Sequence, residues 1–327
     1  MQRHLTVWNN SGTYAPLPNY PLETCRVSCY IMTMGKFGIA ARELAEMFPD
    51  DATCLEHLFR VRYGNRHQCA KCGKDAKYHR VKKRRAYECE WCGYQVYPTA
   101  GTPFESTRTP LVDWFEVMHM FCTTRNGVSG KEIQRRIGCT YKTAWRMGHE
   151  IRKYMGYVDG DAPPGGPGGG AVEIDKSFIG GHDKKGEDDK AVVLGMIERK
   201  GEVIARVIPS KSGQYVQPEI LKHVKPGTRL MADEAPVYGP LTSKGYRLET
   251  VHHRSKEYVR GDVHVNNLEA FWANVKRMIS GTHVWVSKKH LQKYLWEAEF
   301  RHNLRKHPYL MFELLLSAFP KGAHRAP

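Results

Sequence analysis

A series of short apolar segments after residue 170 decides the fold, and it begins with Ala171-Val-Glu-Ile-Asp175. Next comes Lys190-Ala-Val-Val-Leu-Gly-Met-Ile-Glu-Arg199, and after a turn at Lys200-Gly201 comes Glu202-Val-Ile-Ala-Arg-Val-Ile-Pro209. Two apolar runs joined by a two-residue turn with glycine are typical of a β-hairpin. Thr228-Arg-Leu-Met-Ala-Asp233 predicts a further strand. Together these segments predict a sheet.

The sequence around these strands adds helices. The further predicted elements are a helix, a short fifth strand and two amphipathic helices, at residues 214–224, 246–252, 264–279 and 288–304. Strands mixed with helices in this order predict an α/β fold with a mixed sheet. We assign this domain to residues 171–310 and interpret residues 311–327 as a tail.

The segments before this domain differ in composition. Residues 156–170 read GYVDGDAPPGGPGGG, and such a run of glycine and proline predicts a flexible linker at a domain boundary. Residues 36–98 combine two predicted short helices with a cysteine-rich segment, and residues 99–155 are predicted to be helical. Residues 1–35 show no clear period, and we interpret them as an extension of unknown role.

The composition indicates a globular protein with a polyanionic partner. Among 327 residues, 50 are Lys or Arg and 34 are Asp or Glu, which gives a net charge of +16. This excess favours nucleic acid, although charge alone also fits a merely soluble basic protein. No apolar run is long enough for a membrane span, and the N-terminus lacks the apolar region of a secretory signal. We expect a cytoplasmic protein, associated with a bacterial nucleoid, and no membrane partner.

Four of the nine cysteines are spaced as metal ligands. Cys69 and Cys72 form one pair, Cys89 and Cys92 form another, and a glycine follows each pair. Two such pairs supply the four thiolates of a structural Zn²⁺ site, so we predict a zinc ribbon. The alternative is four unrelated buried thiols.

The cysteine segment is also strongly basic. Residues 60–92 carry 11 Lys plus Arg against 3 Asp plus Glu. A zinc ribbon of this charge is expected to contact DNA, unless the basic run is only a solvated hairpin. The candidate DNA contacts in its basic run are Lys82, Lys83, Arg84 and Arg85.

A candidate helix-turn-helix follows. Residues 127–138 predict a helix that ends at Gly138, and residues 139–146 begin a second helix that Thr140 is suited to cap. The start of a recognition helix reaches base edges in the major groove, whereas a purely structural helical hairpin has a similar sequence. The candidate DNA contacts on the second helix are Tyr141, Lys142, Thr143 and Arg146.

Three acidic residues lie at places where they can converge. Asp175 and Asp233 each end a predicted strand, and Glu269 lies on a later predicted helix with Lys276 two turns further along the same face. Three carboxylates without Cys or His favour Mg²⁺ or Mn²⁺, and two such ions support phosphodiester chemistry. Taken singly, each acid also fits a surface charge or a helix cap.

These segments together resemble the insertion-sequence DDE transposases with an N-terminal zinc ribbon, the ISXO-type group. Besides the four cysteines, the resemblance rests on Phe48-Pro-Asp-Asp51, Cys54-Leu-Glu-His-Leu58, Val172-Glu-Ile-Asp175, Phe178-Ile-Gly-Gly181, Ala232-Asp233-Glu234, His264-Val-Asn-Asn-Leu-Glu269-Ala-Phe-Trp272, Lys276-Arg277 with Gly281, Lys289-His290-Leu-Gln-Lys-Tyr-Leu295 and Phe300-Arg-His-Asn303.

The resemblance implies an RNase H-like catalytic domain that cuts and inserts DNA. It implies catalytic roles for Asp175, Asp233 and Glu269, with Lys276 as the accompanying basic residue, and Asn266 is a further candidate DNA contact. The expected partners are the terminal inverted repeats, target DNA and further copies of the chain. Two alternatives are a regulator or domesticated transposase without catalytic activity, and a nuclease without strand transfer. Trp285 and Trp296 are interpreted as core side chains rather than base-stacking ones.

Overall fold

The computed structural model describes residues 6–8, 14–16, 38–159, 163–180, 190–199, 201–233, 236–251 and 264–319. The chain divides into two compact units, and residues 125–129 are grouped with the second. Apart from a short hairpin, β1 (Thr6–Trp8) with β2 (Tyr14–Pro16), the predicted extension 1–35 lies outside the described residues. Among the described residues, none of the helices has the length and apolarity that a membrane crossing requires.

The first unit begins with two helices and a set of short strands. Its elements are α1 (Ala41–Met47), α2 (Asp51–Tyr63), β3 (His67–Gln68), β4 (Asp75–Ala76), β5 (Tyr78–Arg80), β6 (Tyr87–Cys89) and β7 (Gln95–Val96). β3 pairs with β4, and β5, β6 and β7 form an antiparallel sheet of three strands. Asp50 begins α2, because its side chain accepts a hydrogen bond from the backbone N–H of Thr53 at 2.7 Å.

Three helices complete most of this unit: α3 (Leu111–Thr123), α4 (Gly130–Ile137) and α5 (Tyr141–Asp159). Gly138 separates α4 from α5 and has a φ of +66°, a conformation that glycine adopts readily. Thr140 caps α5, since its hydroxyl accepts a hydrogen bond from the backbone N–H of Thr143 at 3.3 Å. The helix, glycine turn and helix that the sequence predicts are therefore present.

The second unit is built on a five-stranded mixed sheet. Its elements are β8 (Val172–Ile179), β9 (Ala191–Glu198), β10 (Val203–Ile208), α6 (Gly213–His223), β11 (Arg229–Asp233), a 3₁₀ helix (Pro236–Lys244), β12 (Arg247–Val251), α7 (Asn266–Met278) and α8 (Lys288–Asn303). The strand order is β10-β9-β8-β11-β12. β8, β11 and β12 are parallel, whereas β9 is antiparallel to both of its neighbours. The predicted mixed α/β fold is confirmed.

Helices cover both faces of this sheet. On one face, Ile174 and Leu230 pack with Val216 of α6 and Tyr238 of the 3₁₀ helix. The opposite face packs against α7 and α8, and the buried side chains there include Val193, Leu268, Trp272, Leu291 and Leu295. Two buried faces explain why the strands are nearly continuous apolar runs.

Side chains of α8 accept hydrogen bonds from backbone N–H groups of the edge strand β10. The backbone N–H groups of Val203 and Ala205 donate to Asn303 at 2.8 Å and to Glu299 at 2.9 Å. Val207 donates in the same way to Gln292 at 2.9 Å. These bonds satisfy an edge that is otherwise open to strand addition.

The linker and the tail differ from their predictions. α5 extends to Asp159, and the backbone N–H of Gly166 donates to the Thr228 hydroxyl at 2.7 Å, so residues 163–170 are bound to the second unit rather than forming a free linker. Residues 311–327 are not simply a tail, because α9 (Leu310–Ala318) is an apolar helix that packs against α3. Phe319, just after it, stacks on Tyr154 with the ring centroids 4.0 Å apart.

Candidate active site and zinc centre

The four predicted cysteine ligands meet at one point. The Sγ atoms of Cys69 and Cys92 are 3.6 Å apart, those of Cys72 and Cys89 are 4.0 Å apart, and all four lie within 4.8 Å of one another. A tetrahedral Zn²⁺ with Zn–S bonds of about 2.3 Å requires sulfurs separated by about 3.8 Å. The residues therefore fit a structural zinc ion.

The two cysteine pairs are built alike. After each pair, a glycine N–H donates back to the first cysteine carbonyl, from Gly73 to Cys69 at 2.8 Å and from Gly93 to Cys89 at 3.0 Å. Both glycines have a positive φ, of +70° and +67°. Because side chains are strained in this conformation, the glycine that follows each pair is part of the ligand geometry.

The predicted basic contacts divide into two kinds. Lys82, Lys83 and Arg84 are exposed. Arg85 is instead half-buried, and its guanidinium donates to the Asp51 carboxylate at 2.9 Å and to the Thr107 carbonyl at 3.3 Å. The other oxygen of Asp51 accepts the backbone N–H of Leu111 at the start of α3, at 2.7 Å. Arg85 thus stabilises the first unit.

The start of α5 presents several of its predicted contacts to solvent. Tyr141, Lys142 and Arg146 are exposed, and Thr143 is partly buried. The Lys131 ammonium lies 5.0 Å from the centre of the Tyr141 ring, and the Arg146 guanidinium lies 5.4 Å from that of Trp114. These cation–π contacts hold positive charge at this surface of the first unit.

In the second unit, Asp175 and Asp233 lie on adjacent strands. β11 pairs with β8 in parallel, with Met231 opposite Glu173 and Ala232 opposite Ile174. Asp233 therefore follows in register beside Asp175, and alternation of side chains directs both toward the sheet face that α7 covers. Asp175 was predicted to end its strand, but β8 continues to Ile179 because β9 pairs along its whole length.

The third predicted acid lies on the helix that covers this face. α7 buries Leu268, Trp272 and Val275, whereas Glu269 and Lys276 are exposed. Asn266 is also exposed, at the first residue of α7. Glu269 and Lys276 are two helical turns apart and thus lie on one exposed side of the helix, beside its buried face.

The charges of Asp233 and Glu269 act on Asp175. Burial raises the pKa of Asp175 above its usual range, and the negative charges of Asp233 and Glu269 raise it further. Two hydrogen bonds oppose this shift and orient the carboxylate: one from the Lys176 N–H at 2.7 Å and one from Trp272 Nε1 at 3.1 Å. Among the described residues, the four cysteines are the group of three or more ligand side chains that lie close enough together to hold a metal ion, and the three acids do not form such a group.

Glu173, two residues before Asp175, is completely buried. Its carboxylate accepts hydrogen bonds from the backbone N–H of Asn267 at 3.0 Å and of Leu268 at 3.4 Å, and it pairs with Arg199 at 3.1 Å. Backbone N–H groups at a helix start favour an anion. Glu173 therefore fixes the N-terminus of α7 to β8.

Gly195 was not singled out by the sequence, yet the site depends on it. It lies opposite Asp175 in the pairing of β8 with β9. A Cβ atom there would lie 2.5 Å from Cζ2 of Trp272 and 2.8 Å from Cδ2 of Leu268. Only glycine lets the indole approach the sheet and reach Asp175. An isolated glycine inside a strand pattern is the signal that indicates such close approach.

Comparison with known families agrees with this architecture. One family model, described as a transposase zinc-ribbon domain, matches residues 49–95, and another, described as an ISXO2-like transposase domain, matches residues 168–303. Both descriptions name the same class of protein, the transposases. The chain belongs to the insertion-sequence DDE transposases that carry a zinc ribbon, which confirms the resemblance seen in the sequence. The family implies an RNase H-like fold, which the mixed sheet fits, and binding to DNA.

A curated relative points the same way. It is an uncharacterized protein in the transposable element ISH50 of Halobacterium salinarum, and it is 26% identical to this chain over 286 residues. The alignment covers 80% of this chain and 94% of the relative. The similarity therefore extends over both units.

Proposed function

We propose that this transposase cuts a DNA strand at each end of its element and joins the freed end to target DNA. The observation that supports the proposal is that Asp175 is buried with a raised pKa and that the negative charges of Asp233 and Glu269 lie near enough to raise it further. Acidic residues whose pKa is shifted by burial and by neighbouring carboxylates are common in catalytic centres.

The three acids suit divalent cations. Their donor atoms are carboxylate oxygens, which Mg²⁺ and Mn²⁺ prefer. Burial raises the pKa of Asp175, the charges of Asp233 and Glu269 raise it further, and a cation would favour the charged form of this carboxylate. Asp175, Asp233 and Glu269 are the residues that would hold two such ions. When bound, the ions activate the attacking oxygen and stabilise the leaving oxygen of a phosphodiester.

The protein's own groups orient this site. Trp272 Nε1 and the Lys176 N–H hold the two oxygens of Asp175, and Glu173 holds the start of the helix that carries Glu269. Lys276, on the exposed side of the same helix, binds a phosphate of the strand and positions its end.

The first unit recognises the terminal inverted repeats. Exposed Lys82, Lys83 and Arg84 on the zinc ribbon bind phosphates, which sets affinity and position. The start of α5, with Tyr141, Lys142, Thr143 and Arg146, enters the major groove as a recognition helix.

The reaction has two steps at one site. Water first attacks the phosphodiester at the element end and releases a 3′-hydroxyl and a 5′-phosphate. The 3′-hydroxyl then attacks a phosphodiester of the target, forms a new bond to that phosphorus and releases the target's own 3′-hydroxyl. Because two element ends must be held together, a homo-oligomer assembles on the DNA.

The experiment that tests this function is mapping of products from end DNA. The full chain is incubated with Mg²⁺, a labelled duplex that carries the element's terminal repeat, and target plasmid. Cuts at the repeat end followed by joined products support the proposal. Binding without any cut would instead indicate a DNA-binding regulator, and cuts without joined products would indicate a plain nuclease.

A further inference from the structure

The connection between α7 and α8 presents two apolar side chains to solvent. Val284 is 84% exposed and Trp285 is 60% exposed. The prediction that Trp285 belongs to the core is therefore wrong. Two adjacent apolar side chains turned outward between two well-packed helices form an exposed apolar patch, which is a candidate binding surface.

The backbone of this connection is strained. Val284 has φ +63° and ψ −51°, and the N–H of Trp285 donates to the carbonyl of His283 at 2.7 Å, which defines a γ-turn. A β-branched residue with a positive φ is unfavourable, and the turn follows a π-helical segment, Ile279–His283. Backbone strain of this kind and π-helical turns both cluster at functional sites.

Packing on both sides holds the turn in place. The ring of His283 meets that of Tyr294 edge to face, with the centroids 4.7 Å apart. On the other side, Val286 is buried in the core between the sheet, α7 and α8. The two exposed side chains thus stand on a fixed base, so little ordering is required when they bind.

The basic residues around the turn indicate which class of molecule binds there. Residues 270–296 contain five Lys or Arg and no Asp or Glu. An exposed aromatic ring in so basic a segment suits a nucleic acid, whose phosphates pair with the cations while a base stacks on the ring. The Glu297 carboxylate, which follows this segment, is buried and paired with Arg301 at 3.0 Å. A second protein surface would have to place its own acidic groups there.

We propose that Trp285 stacks on an unpaired nucleobase of the DNA strand that the catalytic acids cut, and that Val284 supports this base from the side. The proposal rests on the proposed function. A Cβ on Gly180 would lie 3.8 Å from the Val286 carbonyl, which connects the turn with the end of β8. Gly180 is five residues after Asp175, about 17 Å along the strand, so the turn lies within a few nucleotides of the catalytic acids.

The test is photocrosslinking with DNA of the terminal repeat. Single 5-iododeoxyuridines are placed at successive positions near the cut site, and the complex is formed by the full chain carrying Asp175→Asn so that the DNA stays intact. We expect one position, within a few nucleotides of the cut, to crosslink to Trp285. The crosslink should persist in a background of Trp285→Phe and disappear with Trp285→Ala.

Cleavage by the otherwise unchanged protein provides the second readout. Because the loss of one stacked base weakens binding about tenfold, Trp285→Ala should cut end DNA about tenfold more slowly and Trp285→Phe nearly normally. Tyr215→Ala is the matched control, since Tyr215 is an exposed aromatic residue of α6 on the opposite sheet face.

Three results would overturn the stacking proposal: unchanged cleavage by Trp285→Ala, crosslinks only at other residues, or an altered oligomeric state of Trp285→Ala without DNA. The last would identify the turn as an interface between copies. If the unsubstituted chain neither binds nor cuts end DNA, the proposed function fails as well. The two failures are therefore distinguishable.

Discussion

Glu173 on β8 accepts two hydrogen bonds from Asn267 at the start of α7, from the backbone N–H at 3.0 Å and from the side-chain Nδ2 at 2.7 Å. Asp175 lies two residues after Glu173, and Glu269 lies two residues after Asn267. A single buried contact thus fixes the strand that carries one candidate catalytic acid to the helix that carries another.

Glu173→Ala should both unfold the second unit more easily and stop cleavage. The substitution leaves Arg199 and two helix N–H groups without their buried anion, which costs about 3–5 kcal/mol. Urea denaturation measures the loss. Glu269→Gln is the comparison, because Glu269 is exposed and its change should leave the unfolding midpoint unchanged. Equal midpoints for Glu173→Ala and the unsubstituted chain would contradict this role.

Gly195→Ala should displace Trp272 and slow cleavage without loss of end binding. The added Cβ would stand 2.5 Å from the indole, so the ring must move and its hydrogen bond to Asp175 is lost. Indole fluorescence and cleavage rate report the change. Gly239→Ala is the control, since a Cβ there meets no atom within 4 Å. The explanation fails if both variants cut DNA equally fast.

Removal of zinc should unfold the ribbon and weaken end binding. The folding free energy of so small a segment comes largely from the metal. Zinc content, circular dichroism and binding to end DNA are measured before and after chelation, and for Cys72→Ser. Cys139→Ser provides the control, because Cys139 lies outside the four-cysteine cluster. Purified protein that contains no zinc, or a Cys72→Ser variant that keeps full zinc, would contradict the assignment.

Arg84→Ala and Arg85→Ala should have different effects although the residues are adjacent. Arg84 is exposed, so its loss should reduce the salt dependence of DNA binding by about one unit of slope and leave stability unchanged. Arg85 bonds to Asp51 and Thr107, so its loss should lower the melting temperature. A larger effect of Arg85→Ala on the salt slope than on melting would mean that it contacts DNA after all.

The local pattern of the sequence was sufficient for most of the elements and for the cysteine cluster, although it missed α9. The predicted helix 264–279 is Asn266–Met278 in the structure, and the predicted strand 228–233 is Arg229–Asp233. Apolar spacing and turn residues determine such segments from within a few neighbours. The cysteine pairs meet because each pair is itself a local turn that directs both sulfurs to one point.

Contacts between distant residues were not predictable in this way. The Arg85 guanidinium donates a hydrogen bond to the carboxylate of Asp51, 34 positions earlier. Position 195 must be glycine because the ring of Trp272, 77 positions later, leaves no room for a Cβ atom. The sequence pattern around one residue of such a pair does not indicate which distant residue it contacts. The exposure of Trp285 depends likewise on how two helices pack and on a strained turn at Val284, and composition indicates neither.

The most direct measurement compares end binding with strand cleavage for Asp175→Asn, Asp233→Asn and Glu269→Gln. Each amide keeps the size of the side chain but removes a charge that holds Mg²⁺, so cleavage should fall about a thousandfold or more while binding to the terminal repeat stays within about twofold. Mg²⁺ is varied in the same assay, and Lys222→Ala on α6 serves as a surface control. Cleavage at the unsubstituted rate by any of the three amides would contradict the claim that these acids form the catalytic site.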